Sequence, residues 1–459
     1  MSQEKHAPNP LGYAPVGGLI RKYAAPAIVS MLVAAAYNIT DQIFIGHVVG
    51  MLGNAATNIV FPVTLFCTAC ALLIGAGAAT NFNIKLGAKQ NDEAAVFAGT
   101  GFSAAAILGL GIFFLVFFLK TPILLACGAS ENVFPYALLY LTITVFGLPF
   151  LLFSSVCSYL IRSDGSPMYS MIAAAAGAVL NVILDWLFMF VFRWGIQGAA
   201  AATIIGQIVS FMICLRYLFR FKTVSLSLIF PRWNYLKNIL KLGLNNFTNH
   251  ILMMTVNIVL NNTLKHYGAL SVYGADIPLA VAAVIIKLNT ILTSFAVGLA
   301  QGCQPILGFN TGAKNYSRVK ETYMKAAKVS LAICVLFFLA FQIFPVQIVS
   351  IFGGGSEQYF DFAKKYMRIY MFMVFMFGIQ PLTVNYFTAT GKAAQGIILS
   401  LSRQGFILIP LLLVMPAVFG INGVLYAGPI ADGLAVLLSL FLVLTDFKKL
   451  DKAIAAARN

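Results

Sequence analysis

The chain has 459 residues, of which 60% are hydrophobic and only 10% are charged, whereas about 25% of the residues of an ordinary soluble domain are charged. So few charges cannot cover a water-soluble protein of this length, and most of the chain must be solvated by lipid. The formal net charge of +16 would suit a nucleic-acid-binding protein, but the basic residues lie in short clusters between apolar stretches, as in the cytoplasmic loops of membrane proteins.

The chain begins with a polar segment, residues 1–18, which lacks the apolar core and cleavage site of a signal peptide. Because about 20 apolar residues cross a bilayer as a helix, the rest predicts an all-α integral membrane protein with twelve spans. Six lie near 21–46, 55–84, 94–119, 135–161, 168–191 and 196–219, and six near 236–265, 277–311, 322–352, 366–391, 394–419 and 421–446. The predicted domains are the segment 1–18, an N-lobe at 19–221, a linker at 222–235, a C-lobe at 236–447 and a tail at 448–459.

The basic residues also predict the orientation of these spans. If the N-terminus is cytoplasmic, the cytoplasmic segments contain 23 of the 30 Lys and Arg residues, with Arg162 and Arg403 among them. The positive-inside rule then predicts that both termini lie in the cytoplasm. We expect the protein in a prokaryotic inner membrane.

The two halves of the chain repeat at an offset of about 225 residues. The matching pairs are Leu86–Lys89 with Thr311–Lys314, Cys127–Gly128 with Phe352–Gly353, Ser163–Gly165 with Thr390–Gly391, and Gly195–Gly198 with Gly420–Gly423. An even number of spans in each half gives both halves the same orientation. Transporters built in this way hold substrate between the halves and alternate access by rocking one half against the other. A duplicated bundle would also suit a channel or a membrane enzyme.

Three of the 14 acidic residues, Asp41, Asp185 and Asp432, lie well inside predicted spans. A charge at the bilayer centre costs about 2.5–3.5 kcal/mol on insertion scales, so we expect these acids to be functional or neutralised. Asn181 lies one turn before Asp185 on the same helical face, and Thr203 in the sixth span adds a hydroxyl group. Two carboxylates with amide and hydroxyl oxygens predict a site for a proton or a sodium ion. The alternative is that each Asp caps a kinked helix or bonds to neighbouring backbone.

The second half has no equivalent acid in its Asn-rich seventh span, so we expect the coupling ion to bind in the first half. The further candidates for a substrate cavity or for gating are Asn38, Gln42, Lys287, Asp432, His250 and Pro26. Lys287 could neutralise an acid, contact an anionic group of a substrate, or extend its amine to the membrane interface. Packing is the competing interpretation for His250, and Pro26 either kinks the first span or starts it.

Three kinds of segment resemble a known family. They are the first-span stretch Asn38–Gly46, the two Gly-Ala-Lys loops and the stretch Gly302–Val319. Over roughly residues 15–447 the chain resembles the multidrug and toxic compound extrusion (MATE) family. The resemblance implies a V-shaped pair of six-helix lobes related by pseudo-two-fold symmetry, and cation-coupled antiport of amphipathic, often cationic drugs.

The resemblance also carries a cation site. The first-lobe site of the MATE family matches Asp41, Asn181, Asp185 and Thr203 of this chain, residue by residue. Some branches of the family carry acidic residues in the seventh and tenth spans. This chain has none in the interior of either span, so it resembles the branch that works through its first lobe, and the choice of proton or sodium stays open.

The predicted function is secondary active efflux of amphipathic organic cations in exchange for protons or sodium. We expect no enzyme activity, no cofactor, no nucleic-acid partner and a monomer in the lipid bilayer. The chain lacks a Walker motif, so we expect no ATP drive and no ATPase subunit. One alternative is a lipid-linked glycan flippase, which should have several basic residues in its cleft where this chain has Lys287 and Arg403. A less favoured alternative is a lipid-modifying membrane enzyme, which would need a nucleophile–base pair or a metal cluster at membrane depth.

Overall fold

The computed structural model of the chain describes residues 9–127, 129, 131–219, 221, 232–274, 276–351 and 356–456. Within these ranges the secondary structure is helical, with no β-strand. Parts of the sequence-based predictions lie outside the described residues: 1–8, 222–231 and 457–459 of the predicted terminal segments and linker, and Gly128 and Phe352–Gly353 of the repeat. The predicted all-α membrane fold is confirmed, and the protein is a multi-pass membrane protein.

Twelve long helices occupy the described part of the chain, in two sets of six. The first set is α1 (Val16–Val48), α2 (Met51–Gly87), α3 (Asn91–Ala126), α4 (Phe134–Ser163), α5 (Pro167–Val191) and α6 (Ile196–Leu218). The second set is α7 (Trp233–Ala269), α8 (Asp276–Gly312), α9 (Tyr316–Ile343), α10 (Glu357–Ala389), α11 (Ala393–Phe419) and α12 (Ile421–Ala456). Eleven of them are long and apolar enough to cross a membrane, and the exception is α7.

The polar side chain of Asn245 on α7 lies inside the protein and not against lipid. Asn245 is fully buried. Its amide nitrogen donates to Thr388 Oγ1 at 2.8 Å, and its amide oxygen accepts a hydrogen bond from the Ser400 hydroxyl. A buried amide whose donor and acceptor are both used costs little in an apolar environment, which allows this Asn-rich helix to pack as the seventh member of the bundle.

The helices extend beyond the predicted spans, and some are interrupted. α10 begins at Glu357, about nine residues before the predicted start, and α12 continues to Ala456 through most of the predicted tail. α4 contains a 3₁₀ turn at Val145–Gly147 and α10 contains one at Phe372–Met376. These breaks lie at corresponding places in the two halves, so the repeat includes the irregular segments.

The backbone of the turns also follows the repeat. Three pairs of residues have left-handed conformations: Lys89 (φ 61°) with Lys314 (φ 56°), Gly165 (φ 85°) with Gly391 (φ 80°), and Gly195 (φ 58°) with Gly420 (φ 57°). A left-handed residue after a helix stops it and turns the chain. The matching segments of the sequence are therefore matching turns.

The two lobes meet through the ends of α2 and α8, where each Gly-Ala-Lys segment begins. A Cβ atom on Gly87 would lie 1.9 Å from the carbonyl oxygen of Phe309, and one on Gly312 would lie 1.8 Å from the carbonyl oxygen of Ile84. Gly87 and Gly312 occupy equivalent positions in the repeat, so the same backbone contact forms twice. Small residues allow helix backbones to approach in this way. The lobes are joined at this end, which gives the molecule its V shape.

The described part of the N-terminal segment is bound to the C-lobe. Asn310 Nδ2 donates to the Leu11 carbonyl at 3.0 Å, and Arg318 donates to the Ala14 carbonyl at 2.6 Å. Leu11 and the first turns of α1 share an apolar cluster with α8, α10 and α12. Two further clusters form the interiors of the N-lobe and of the C-lobe.

Candidate functional site

Three helices of the N-lobe carry the predicted cation-coupling residues. Asp41 lies on α1, Asn181 and Asp185 lie on α5, and Thr203 lies on α6. Asn181 and Asp185 are one turn apart, so both side chains leave the same face of α5. α5 and α6 cross closely one turn earlier, where a Cβ atom on Gly177 would collide with α6. This crossing brings Thr203 beside Asn181.

The Asp41 and Asp185 carboxyl groups lie close enough together to interact directly. Asp185 is 0% exposed, and no N–H or O–H group of the described residues donates to Oδ1 of either acid. An ionised carboxylate can only accept hydrogen bonds. Two carboxyl groups in contact therefore require a proton or another cation between them, and among the described residues no Lys or Arg forms an ion pair with either acid.

Asn181 joins this pair to Thr203. With its amide nitrogen facing Asp185, Asn181 donates to Asp185 Oδ2 at 3.3 Å and accepts from the Thr203 backbone N–H at 3.2 Å. The opposite orientation of the amide leaves only a 3.5 Å approach of Nδ2 to Thr203 Oγ1. The first orientation uses both ends of the amide, and we adopt it. The structure thus brings all four predicted residues together, and their role as cation ligands stays a prediction.

Two tyrosines complete the surroundings of the pair, and the sequence did not single them out. The Tyr140 hydroxyl lies beside the Thr203 side chain, and Tyr37 and Tyr140 both lie close enough to Asp41 and Asp185 to interact electrostatically. Tyr37 lies one turn before Asp41 on α1, a spacing that could have identified it. Tyr140 comes from α4 and has no such signal, because only the tertiary fold places it here.

The donor atoms of the site are those that a proton or a sodium ion requires. The free lone pairs are carboxylate oxygens, joined by a hydroxyl oxygen at Thr203, and hard cations bind such oxygens. Within the described ranges no three His, Cys, Asp or Glu side chains gather into a metal-binding group. The Oδ1 atoms of Asp41 and Asp185, which receive no protein hydrogen bond, are the positions that would hold the ion.

Three of the residues that the sequence offered as candidates for a cavity or gate border cavities: Asn38, Gln42 and Lys287. Asn38 borders a cavity in the N-lobe, and its Nδ2 donates to the Ala34 carbonyl of its own helix at 2.7 Å. Gln42 and Lys287 line a separate cavity of about 320 Å³ between α1 and α8. No carboxylate of the described chain is paired with Lys287, so the suggestion that it neutralises an acid finds no support in this conformation.

Asp432 has a different environment from the other two membrane acids. The Arg403 Nε atom donates to Asp432 Oδ1 at 2.7 Å. Arg403 was predicted to lie in a cytoplasmic segment, but it lies roughly 15 Å along α11 at 1.5 Å per residue, in a π-helical stretch, Ser402–Leu408. His250 Nδ1 contacts the Asn246 carbonyl of its own helix at 3.1 Å. Both arrangements suit structural roles.

Pro26 lies inside α1, which begins ten residues earlier at Val16. The suggestion that Pro26 starts the first span is therefore wrong. Proline has no backbone N–H, so it removes one hydrogen bond from the helix and makes that turn easier to bend. The hydroxyl of Ser30, one turn after Pro26 along the chain, donates to the Pro26 carbonyl at 2.8 Å.

A cavity of about 360 Å³ extends through the N-lobe from Asn181 and Thr203 to Arg162 and Gln301. Arg162 was predicted to be a cytoplasmic charge, yet it is only 6% exposed. An Arg near the end of a span is typical of a positive-inside loop, and only the packing of the lobes shows that this one is buried. The cavity joins the carboxyl pair to the contact between the lobes.

Known proteins are similar to this chain in sequence over nearly their whole length. The multidrug export protein MepA of Staphylococcus aureus strain MSSA476 is 27% identical over 444 residues, which cover 94% of each chain. MepA of Staphylococcus saprophyticus is 26% identical over 441 residues with the same coverage. These are proteins that the chain is similar to over nearly its whole length.

Solved structures share the fold. One, described as the outward-facing conformation of a multidrug resistance MATE family transporter of the MOP superfamily, has a TM-score of 0.90 at 22% identity and covers 97% of this chain and 99% of its own. A MOP superfamily transporter from Pyrococcus furiosus, described as having a binding pocket of reversed polarity, also has a TM-score of 0.90, at 21% identity, covering 98% and 100%. A MATE structure in a bent conformation has a TM-score of 0.88 at 21% identity, with coverage of 96% and 97%.

The family model of the MatE family matches residues 26–187 and 247–414. Each range lies within one lobe, and the two include the paired turns at Lys89 and Lys314 and at Gly165 and Gly391. Members of this family are transporters, which removes the lipid-modifying enzyme from consideration. Because the matched residues make up most of its length, the chain belongs to the MatE family of membrane transporters.

Proposed function

We propose that this protein is a secondary active multidrug efflux antiporter that exports amphipathic organic cations in exchange for protons or sodium. The observation that carries the proposal is the contact between the buried carboxyl groups of Asp41 and Asp185. This pair requires a cation, and it adjoins a cavity that reaches the contact between the lobes. A mobile cation is what couples such a site to a gradient.

The proposed cycle uses the two ends of the V. With both termini in the cytoplasm of a prokaryotic inner membrane, the contact at Gly87 and Gly312 closes the cytoplasmic end, and the cleft opens outwards. A proton or sodium ion then binds between Asp41 and Asp185, α1 bends and the substrate is released. After the lobes rock, the ion leaves to the cytoplasm and new substrate binds. Coupling requires only that ion and substrate stabilise opposite states.

The proposal extends to the partners of the protein. The coupling ion is its only inorganic ligand, and we expect neither an organic cofactor nor an ATPase subunit, with a monomer as the working unit. The names of the MepA relatives support multidrug export as the activity. The aromatic and Met-rich composition, with 39 Phe and 15 Met residues, suits apolar organic cations.

Efflux of ethidium from proteoliposomes, under an imposed proton or sodium gradient, tests this proposal. The wild type should move the dye under one of the two gradients, which identifies the ion. Asp185→Asn removes one carboxylate of the pair, and we expect gradient-driven efflux to fall by about tenfold or more.

Asp361→Asn is the matched control, because Asp361 is an exposed acid paired with Lys365 on the same helix at 2.9 Å and such pairs contribute little. This control should transport as the wild type does. If Asp185→Asn keeps both the rate and the gradient dependence of the wild type, coupling does not pass through this pair. If no cationic dye moves under either gradient, the lipid-linked glycan flippase becomes the better hypothesis.

A further inference from the structure

Arg162 is the buried cation of the N-lobe cavity. It lies in the last turn of α4 and is 6% exposed. Its Nη1 atom donates to Gln301 Oε1 of the C-lobe at 3.0 Å, and its guanidinium carbon lies 5.1 Å from the centre of the Tyr159 ring. Arg162, Tyr159 and Gln301 all line the cavity, so the guanidinium group is enclosed and yet borders open space.

No carboxylate of the described chain forms an ion pair with Arg162. Its sequence neighbour Asp164 is held by the Tyr217 hydroxyl at 2.8 Å. Arginine stays protonated in proteins, and a buried charge is strongly destabilising unless it is paired. Within the part of the chain that the structure describes, the neutral amide of Gln301 accepts the one hydrogen bond that Arg162 donates, out of five guanidinium N–H donors. A charge kept in this position at such a cost indicates a ligand that supplies the missing negative group.

Three hydroxyl groups that line the cavity present acceptors rather than donors. The hydroxyl groups of Ser155, Ser170 and Ser210 donate to backbone carbonyls at 2.7, 3.2 and 3.0 Å. Their protons are therefore used, and what they expose to the cavity is lone pairs. The far end of the cavity adjoins the Asp41–Asp185 pair through Asn181. Arg162 is thus the one cationic side chain in the lining of this cavity, whose described lining contains no acidic residue.

We infer that Arg162 is a subsite for a carboxylate group carried by an amphipathic substrate. This inference rests on the proposed function and adds a chemical group to the substrates that the cavity accepts. A carboxylate forms charge-assisted, bidentate hydrogen bonds with a guanidinium group, which are stronger than a bond to a neutral amide. The carboxylate therefore displaces Gln301. Since Gln301 lies on α8 and Arg162 on α4, binding also removes a hydrogen bond that joins the two lobes.

The test is equilibrium binding of two dyes to the purified full-length protein, measured by fluorescence polarisation without any ion gradient. One is a xanthene dye with a free carboxylate, and the other is the methyl ester of the same dye. We expect Arg162→Gln to raise the Kd of the carboxylate dye by about tenfold or more, the loss of a charge-assisted bond, with less than about a twofold change for the ester. The control Arg216→Gln, at an exposed Arg near the end of α6, should change neither Kd.

A second variant keeps Arg162 and so decides the matter if Arg162→Gln fails to fold. Gln301→Leu removes the competing acceptor, and we expect it to lower the Kd of the carboxylate dye several-fold while that of the ester stays unchanged. The subsite is refuted if Arg162→Gln weakens both dyes equally, or if Gln301→Leu leaves the carboxylate dye unaffected. If the proposed antiport is wrong, liposomes will show no gradient-driven efflux of the ester. The difference in Kd between the two dyes would then remain, because binding is measured without a gradient.

Discussion

The acidic residues inside the membrane have two kinds of partner. Asp432 is paired with Arg403 at 2.7 Å, whereas Asp41 and Asp185 contact each other. An arginine cannot give up its charge, so the first pairing is permanently neutral. Two carboxyl groups in contact depend on a cation that can enter and leave. The chemistry of the partner thus separates a structural acid from acids that can couple to a gradient.

This distinction predicts the behaviour of Asp432 variants. Asp432→Leu leaves Arg403 inside the membrane without its partner, and we expect the free energy of unfolding to fall by about 3 kcal/mol, the lower end of the cost of breaking a buried pair. Thermal unfolding in detergent measures this loss. The double variant Arg403→Met, Asp432→Leu should recover most of the stability and transport dye normally. Loss of efflux in a stable double variant would instead assign Asp432 to transport.

The Tyr140 hydroxyl is predicted to fix Thr203 beside the carboxyl pair. Tyr140→Phe removes the hydroxyl group beside Thr203, and for a lost polar contact worth about 1 kcal/mol we expect the apparent affinity for the coupling ion to fall about fivefold. The measurement is the ion dependence of dye efflux. Tyr136→Phe, one turn earlier on α4 at a side chain that is 36% exposed, is the control. An equal effect of the two variants would rule out a specific role of Tyr140.

Among single residues, the sequence identified those whose polar or charged side chain is unusual in an apolar span. Asp41 and Asp185 could be identified because carboxylates are rare in apolar spans, and Asn181 and Thr203 followed from helical spacing and from the resemblance to the MATE family. Tyr140 and Arg162 could not be identified. A tyrosine in a span has many ordinary roles, and burial of an Arg near a helix end depends on how two lobes pack.

The helices of the bundle combine regular spans with local breaks that the repeat preserves. α4 and α10 each contain a 3₁₀ turn followed within a few residues by a proline, and proline cannot continue the hydrogen-bond pattern behind it. Hydropathy predicts where a helix crosses the membrane, because length and apolarity decide that. It does not predict 3₁₀ or π-helical turns, since these depend on neighbouring helices that satisfy the freed backbone groups.

The contact between α2 and α8 gives a prediction for helix packing. Gly312→Ala places a Cβ atom 1.8 Å from the Ile84 carbonyl oxygen, so the helices must separate. We expect a loss of about 1–3 kcal/mol in the free energy of unfolding, as for other overpacked sites. Gly111→Ala is the control, because a Cβ atom there meets nothing within 4 Å. Equal thermal stability of both variants would contradict the close contact.

The molecule as a whole has one apolar cluster in each lobe and a third at the joined end. The repeat in the sequence predicted the two lobes, because equivalent turns recur at a constant offset. The sequence could not predict which end is closed, since a transporter that alternates access must form both states from the same residues. The binding of Leu11 and Ala14 to the C-lobe could not be predicted either, because the sequence of a polar N-terminal segment does not indicate which residues it contacts.

The paired contact of Gly87 and Gly312 has a consequence for the origin of this architecture. Each glycine packs against the other half at the equivalent place, Gly87 at Phe309 and Gly312 at Ile84. An interface in which the same patch lies on both sides is isologous, the kind that joins the subunits of a symmetric dimer. The two lobes therefore meet as two copies of one six-helix protein would, and the covalent linker joins partners whose surfaces already suit self-association.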